Sequence, residues 1–188
     1  MNTTLNVRAG RNTAQEIVQT VLLIILSSFA TWIGLYRVPW RVSEDPCLVA
    51  FAATVVVVIC LWLTRWRGLS AVNFERSLLA VFLVGMPLVY VARYLIVSTG
   101  RARNYWLWVE ILGTVIFAAL AVLGVKRSPW FLAIGIILHG LTWDSWHFRN
   151  STYMPDWYAI FCLGVDLLLG AYVAARVPAY QTSVSRRS

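Results

Sequence analysis

Six long apolar runs follow one another along the chain, each bounded by a short polar or basic stretch. A membrane-crossing helix needs about 20 mostly apolar residues. Each run therefore predicts one span, over about 17–36, 47–64, 77–98, 105–125, 129–146 and 157–176. The fold class expected is an all-α polytopic membrane protein. Its six-helix transmembrane domain covers 16–177, between an N-terminal tail over 1–15 and a C-terminal tail over 178–188. The end of that second tail, SVSRRS, reads as disordered.

The boundaries carry their own signals. Asp45-Pro46 and Ser128-Pro129 each place a capping side chain before a first-turn proline. Asn104 and Asp156 stand as caps ahead of the fourth and sixth spans. Pro87 is expected to kink the third span near its middle, because it removes a backbone hydrogen bond and crowds the preceding turn. The first run is too long for a signal peptide, and no small-x-small cleavage site closes it. No internal repeat points to an inverted-repeat transporter.

Composition narrows the picture. The chain is 60% hydrophobic and 13% charged, whereas soluble domains carry roughly a quarter charged residues. A net charge of +8 would suggest nucleic acid in a soluble protein, but the basic residues here lie in pairs at the edges of apolar runs. They read as topology signals, with no nucleic-acid partner. Arg65-Trp66-Arg67 reads as an interfacial anchor attracted to anionic lipid.

With six spans, one side holds Arg8, Arg11, Arg65, Arg67, Arg76, Lys126, Arg127, Arg176, Arg186 and Arg187, and the other only Arg37, Arg41, Arg101, Arg103 and Arg149. The positive-inside rule puts both termini in the cytoplasm of a cell that holds the protein in its inner or plasma membrane. A re-entrant second run would invert the sidedness of everything after it. Cys47, Cys60 and Cys162 are dispersed and predict neither a disulfide framework nor a structural zinc site. Oligomeric state stays open.

Candidate chemistry concentrates in HGLTWDSWHFRNSTYMPDW, His139 to Trp157, the expected outer connection of spans five and six. Both histidines lie here, and Trp143, Trp146, Tyr153 and Trp157 form an interfacial belt. Asn150-Ser151-Thr152 is a glycosylation acceptor pattern that matters only in a eukaryotic secretory pathway.

Five ionisable residues fall inside the spans: Arg93, Glu110, His139, Asp144 and Asp166. Charges at that depth face the bundle interior and pair. His139 and Asp166 each lie about nine residues, or ~13 Å, from the outer connection and share one layer. Arg93, Glu110 and Asp144 form a second layer nearer the surface, where Tyr90, one turn before Arg93, reaches the same cavity. On a regular helix Asp144 and His147 share a face, with His139 about 80° away.

Three readings are open. The polar pairs fix helix packing, as polar residues between membrane helices commonly do. Alternatively, Tyr90, Arg93, Glu110, His139, Asp144, His147 and Asp166 line an outward-facing polar cavity that binds or passes a small or lipid-derived ligand. Arg93 then anchors an anionic group and the His139–Asp166 pair exchanges protons. In the third reading, His139, Asp144, His147 and Asp166 hold zinc or iron in an enzyme acting on a lipid or another apolar substrate. A metal-free variant of that enzyme would use His139 as base oriented by Asp166. No HExxH or Glu-x-x-His pair is present, and no serine stands in a nucleophile motif.

Overall fold

The computed structural model of the protein describes residues 3–38, 45–67, 71–97 and 103–185. The helices are α1 (Thr3–Tyr36), α2 (Pro46–Trp66), α3 (Val72–Val97), α4 (Arg103–Lys126), α5 (Trp130–Leu138), a π-helical segment (His139–Asp144), α6 (Ser145–Asn150) and α7 (Asp156–Ser185). Among the described residues there is no strand.

Five helices are long and apolar enough to cross a membrane: Ala14–Tyr36, Pro46–Arg65, Val72–Val97, Tyr105–Lys126 and Asp156–Gln181. Their outer faces carry exposed aliphatic side chains such as Val49, Val81 and Leu112. A surface of that kind belongs in lipid, and the backbone satisfies itself within each helix. The chain is a multi-pass, membrane-embedded helical bundle. Consecutive helices pack side by side, α1 on α2, α2 on α3, α3 on α4 and α4 on α5. Helix α7 closes the ring by packing on α5 and on α1, and α3 reaches it across the middle.

Local sequence accounts for several ends. Asp45 caps α2 by accepting from the Cys47 N–H at 2.9 Å, with Pro46 in the first turn. At the entry to α5, the Trp130 N–H donates to Ser128 Oγ at 3.4 Å. Helix α3 runs on through Pro87, which is buried inside it. Asn104 falls within α4, which begins one residue earlier at Arg103.

The helices differ from the expected spans in three places. Helix α1 already starts at Thr3, through residues read as tail, and the Gln15 and Gln19 amides donate to the Ala175 carbonyl of α7. Helix α7 continues past the expected end through Pro178 to Ser185. The fifth apolar run is helical throughout 130–150, but its centre is wound as a π-helix, so neither α-helical part alone could cross a bilayer.

Candidate functional site

The π segment is what assembles the site. On a regular α-helix, residues five apart point about 140° away from each other. An i→i+5 winding brings them into line instead, and here it turns His139 and Asp144 toward the same neighbour, Asp166 of α7. His139 Nδ1 lies 2.8 Å from Asp166 Oδ2 and 3.5 Å from Asp144 Oδ1. The Tyr90 hydroxyl of α3 donates to Asp144 Oδ1 at 2.6 Å. All four residues are fully buried. Phe117 of α4 stands edge-on to the His139 ring, with centroids 4.8 Å apart.

Gly140 permits the close approach, since its missing side chain leaves room for Asp166: a Cβ there would stand 2.8 Å from the Asp166 Cβ. Gly113 does the same on α4, where the Trp143 indole occupies the space of a side chain. Trp143 is therefore packed inward on α4 rather than serving only as an interfacial marker.

A second cluster lies beside the first. His147 Nε2 is 2.7 Å from Glu110 Oε1 and 3.0 Å from the Tyr153 hydroxyl, which itself donates to the same Glu110 oxygen. The other ring nitrogen, Nδ1, is 2.8 Å from the Trp143 carbonyl, which can only accept, so Nδ1 carries a proton. One further proton then lies between Nε2 and Glu110, because a bare nitrogen lone pair facing a carboxylate would repel it. Burial, and then the neighbouring Glu110, push the Tyr153 phenol above its ordinary range and keep it a donor. The Tyr90 ring packs on His147 with centroids 4.1 Å apart, so a single tyrosine touches both clusters.

The expected second layer of Arg93, Glu110 and Asp144 does not form. Arg93 turns to the connections: its guanidinium donates to Asp45 Oδ2 at 2.8 Å and to the Tyr153 carbonyl at 3.1 Å. Glu110 takes His147 as partner, and Asp144 joins His139 and Asp166. The reason is the π winding, which turns Asp144 toward His139. Of the expected pairs, His139 with Asp166 is the one that forms.

Nor do these groups line a polar cavity facing outward. Glu110, His139, Asp144, His147 and Asp166 are all at most 1% exposed. The cavity that reaches one of them, Asp166, is apolar, about 560 Å³, and lies between α2, α3 and α7. Its wall includes Val49, Ala53, Val57, Val81, Leu88 and Phe161, and Asp166 is the one acidic residue on it. Val49, Val81 and Leu88 are also exposed on the bundle perimeter, so the cavity opens sideways, toward lipid. Gly85 faces this space, and a Cβ added to it would have no heavy atom within 4 Å.

No protein-family model, curated protein or solved structure matches the chain. The arrangement must therefore be read from its chemistry.

Five buried polar atoms have no hydrogen-bond partner among the described residues: Glu110 Oε2, His139 Nε2, Trp143 Nε1, Asp144 Oδ2 and Asp166 Oδ1. All belong to the two clusters or their immediate cover. Buried polar atoms are normally satisfied, and the groups left over are concentrated in these two clusters, of which Asp166 is the member that borders the cavity.

A third polar cluster, which sequence reasoning missed, has every group engaged. Glu75 at the start of α3 is fully buried and accepts from Tyr172, Tyr180 and Arg176 of α7 at 2.7, 3.0 and 2.7 Å. Next to it, Arg76 donates to the Gly124 and Val125 carbonyls at the end of α4, where a cation also suits the helix dipole. These contacts tie α3 to its neighbours and leave no open acceptor on Glu75. The only sequence signal was Glu75-Arg76 at the edge of an apolar run, where charges are ordinarily solvated.

Proposed function

We propose that the protein binds a long apolar molecule bearing a hydroxyl head group, taken from the bilayer through the side opening between α2 and α3. The observation that carries this reading is the lining of the cavity. It is apolar along its walls and has Asp166 as its one acidic lining residue, a buried carboxylate with one unpartnered oxygen. Its volume of about 560 Å³ falls within the usual range for ligand pockets, roughly 300–1,000 Å³. The apolar wall offers no discrimination among chains of similar width. Asp166 supplies it, since an acceptor in a dry cavity favours a ligand that brings a donor.

In this reading the segment 130–150 crosses the membrane as the fifth of six spans, with both termini cytoplasmic by the distribution of basic residues. The membrane is the cell's inner or plasma membrane. Asp166 is the polar end of the site, bonded to His139 with Asp144 and Tyr90 beside them, and Glu110 and His147 form the neighbouring cluster. Arg93 holds the connections in place and does not touch the ligand.

The test uses purified protein in detergent and two probes of equal length, a long-chain primary alcohol and the matching alkane. The alcohol should raise the unfolding midpoint and the alkane should do so less. Gly85→Phe, which fills the open part of the cavity, should abolish both responses, and Asp166→Asn should erase the difference between them. Equal stabilisation of wild type and Gly85→Phe by the alcohol would sink the reading.

A further inference from the structure

Asp144 and Asp166 raise a question of charge that the lipid reading does not answer. Two carboxylates, both fully buried, converge on one imidazole. Their partners among the described residues are His139 and the neutral Tyr90 hydroxyl, while the part-buried arginine pairs are made elsewhere, Arg93 with Asp45 and Arg176 with Glu75. Even a doubly protonated His139 would leave one negative charge uncompensated at membrane depth, where ionised groups are paired or neutralised.

We propose that His139, Asp144 and Asp166 bind a divalent transition-metal ion of the zinc class. One imidazole nitrogen and one oxygen from each carboxylate lie within 4.8 Å of one another. Metal bonds of about 2.0–2.2 Å set tetrahedral ligands ~3.4 Å apart, so small side-chain rotations complete the site. One nitrogen and two carboxylate oxygens suit zinc, iron or manganese and disfavour soft ions. Two carboxylates and a divalent cation sum to zero charge, which removes the electrostatic problem without an imidazolium.

The unpartnered atoms give the second line of support. Asp144 Oδ2 and Asp166 Oδ1 are buried acceptors with no protein donor among the described residues, and a shared cation satisfies both carboxylates at once. Tyr90 donates to Asp144 Oδ1, the oxygen that also faces His139 Nδ1, a hydrogen bond of the kind that orients a ligating carboxylate. Three protein donors leave a fourth position free, the mark of a reactive site rather than a purely structural one. Asp166 borders the cavity, so a head group arriving there would meet one of the three ligands.

The competing account is a proton held between the two carboxylates, with no metal. Metal content of the full-length protein, purified in detergent without chelator, separates the two. After stripping and reloading with zinc sulfate, mass spectrometry should find about one zinc per chain. It should find less than a tenth of that in His139→Ala, Asp144→Asn and Asp166→Asn. His147→Ala should keep its zinc, because His147 belongs to the neighbouring cluster.

A measurement on wild type alone covers the case in which these variants do not fold. Cobalt(II) added to stripped protein should give visible ligand-field bands, and zinc should displace them. Wild type that takes up less than a tenth of an equivalent and shows no cobalt bands overturns the proposal. So does full zinc retention in all three site variants, or loss of zinc from folded His147→Ala. The metal site rests on the donor set and its charge, not on the lipid reading: zinc without alcohol binding, or the reverse, would leave one standing and remove the other.

Discussion

The Cβ of Asp166 stands 2.8 Å from the place where a Cβ on Gly140 would be. That spacing is below any normal carbon–carbon contact, and neither atom is the free end of a flexible chain. The π segment and α7 meet so closely because residue 140 is glycine, and the His139–Asp166 hydrogen bond depends on that approach.

Gly140→Ala should therefore push α7 away and lower stability. Overpacking costs about 1–3 kcal/mol, against a gain of about 1 kcal/mol for alanine over glycine in a helix. Gly85→Ala supplies the control, since its added methyl meets nothing within 4 Å and should leave stability equal or slightly higher. Unfolding midpoints compared side by side in one detergent check this. Equal midpoints for the two variants would show that the approach at Gly140 is not tight.

Arg93, expected in the polar cavity, instead bridges two connections, bonding Asp45 before α2 and the Tyr153 carbonyl before α7. Its side chain is 20% exposed, so Arg93→Ala should cost about 1–3 kcal/mol. The variant should still respond to the long-chain alcohol. In a double-mutant cycle with Asp45→Asn, the two losses should sum to more than the loss in the double variant, because both remove one interaction. Full additivity would mean the pair contributes nothing.

Glu75 tests whether a fully engaged buried acid behaves differently from the site. Glu75→Ala leaves Arg176, Tyr172 and Tyr180 without their common acceptor, and should destabilise by about 3–5 kcal/mol. Tyr172→Phe removes one donor and should cost about 1 kcal/mol. Neither change should alter zinc content in the protein that remains folded. Zinc loss from folded Tyr172→Phe would contradict the separation of the two clusters.

How much of the structure is legible in the sequence depends on which physical rule governs each residue. Apolar run length exposes the membrane class and most helix positions, because a span must be long and apolar whatever it packs against. Depth alone pairs His139 with Asp166, since both are counted from the same connection. Depth also assigns Asp144 to the outer layer with Arg93 and Glu110, and it joins His139 instead because of a π winding that nothing in HGLTWD announces. Arg93 draws an intramembrane partner from depth alone because its true ones lie in connections whose geometry is tertiary. The lateral cavity is also invisible, being made by side chains from α2, α3 and α7 that read as ordinary aliphatic spans.

Tyr90 offers the sharpest test of how the clusters communicate with the proposed metal. Its hydroxyl is the one neutral donor to Asp144 among the described residues, at 2.6 Å, and its ring lies against His147. Tyr90→Phe keeps the ring and removes the hydroxyl. Loss of a buried hydrogen bond to a charged group should lower stability by about 1–3 kcal/mol. If Asp144 is a metal ligand, loss of the outer hydrogen bond should also weaken zinc about 10–100-fold, read by competition with a chelating dye. A folded Tyr90→Phe with unchanged zinc affinity would show that the hydroxyl stabilises the helix packing without orienting a ligand. If instead affinity falls while the His147 ring environment stays the same by NMR, the effect travels through Asp144 and not through the second cluster.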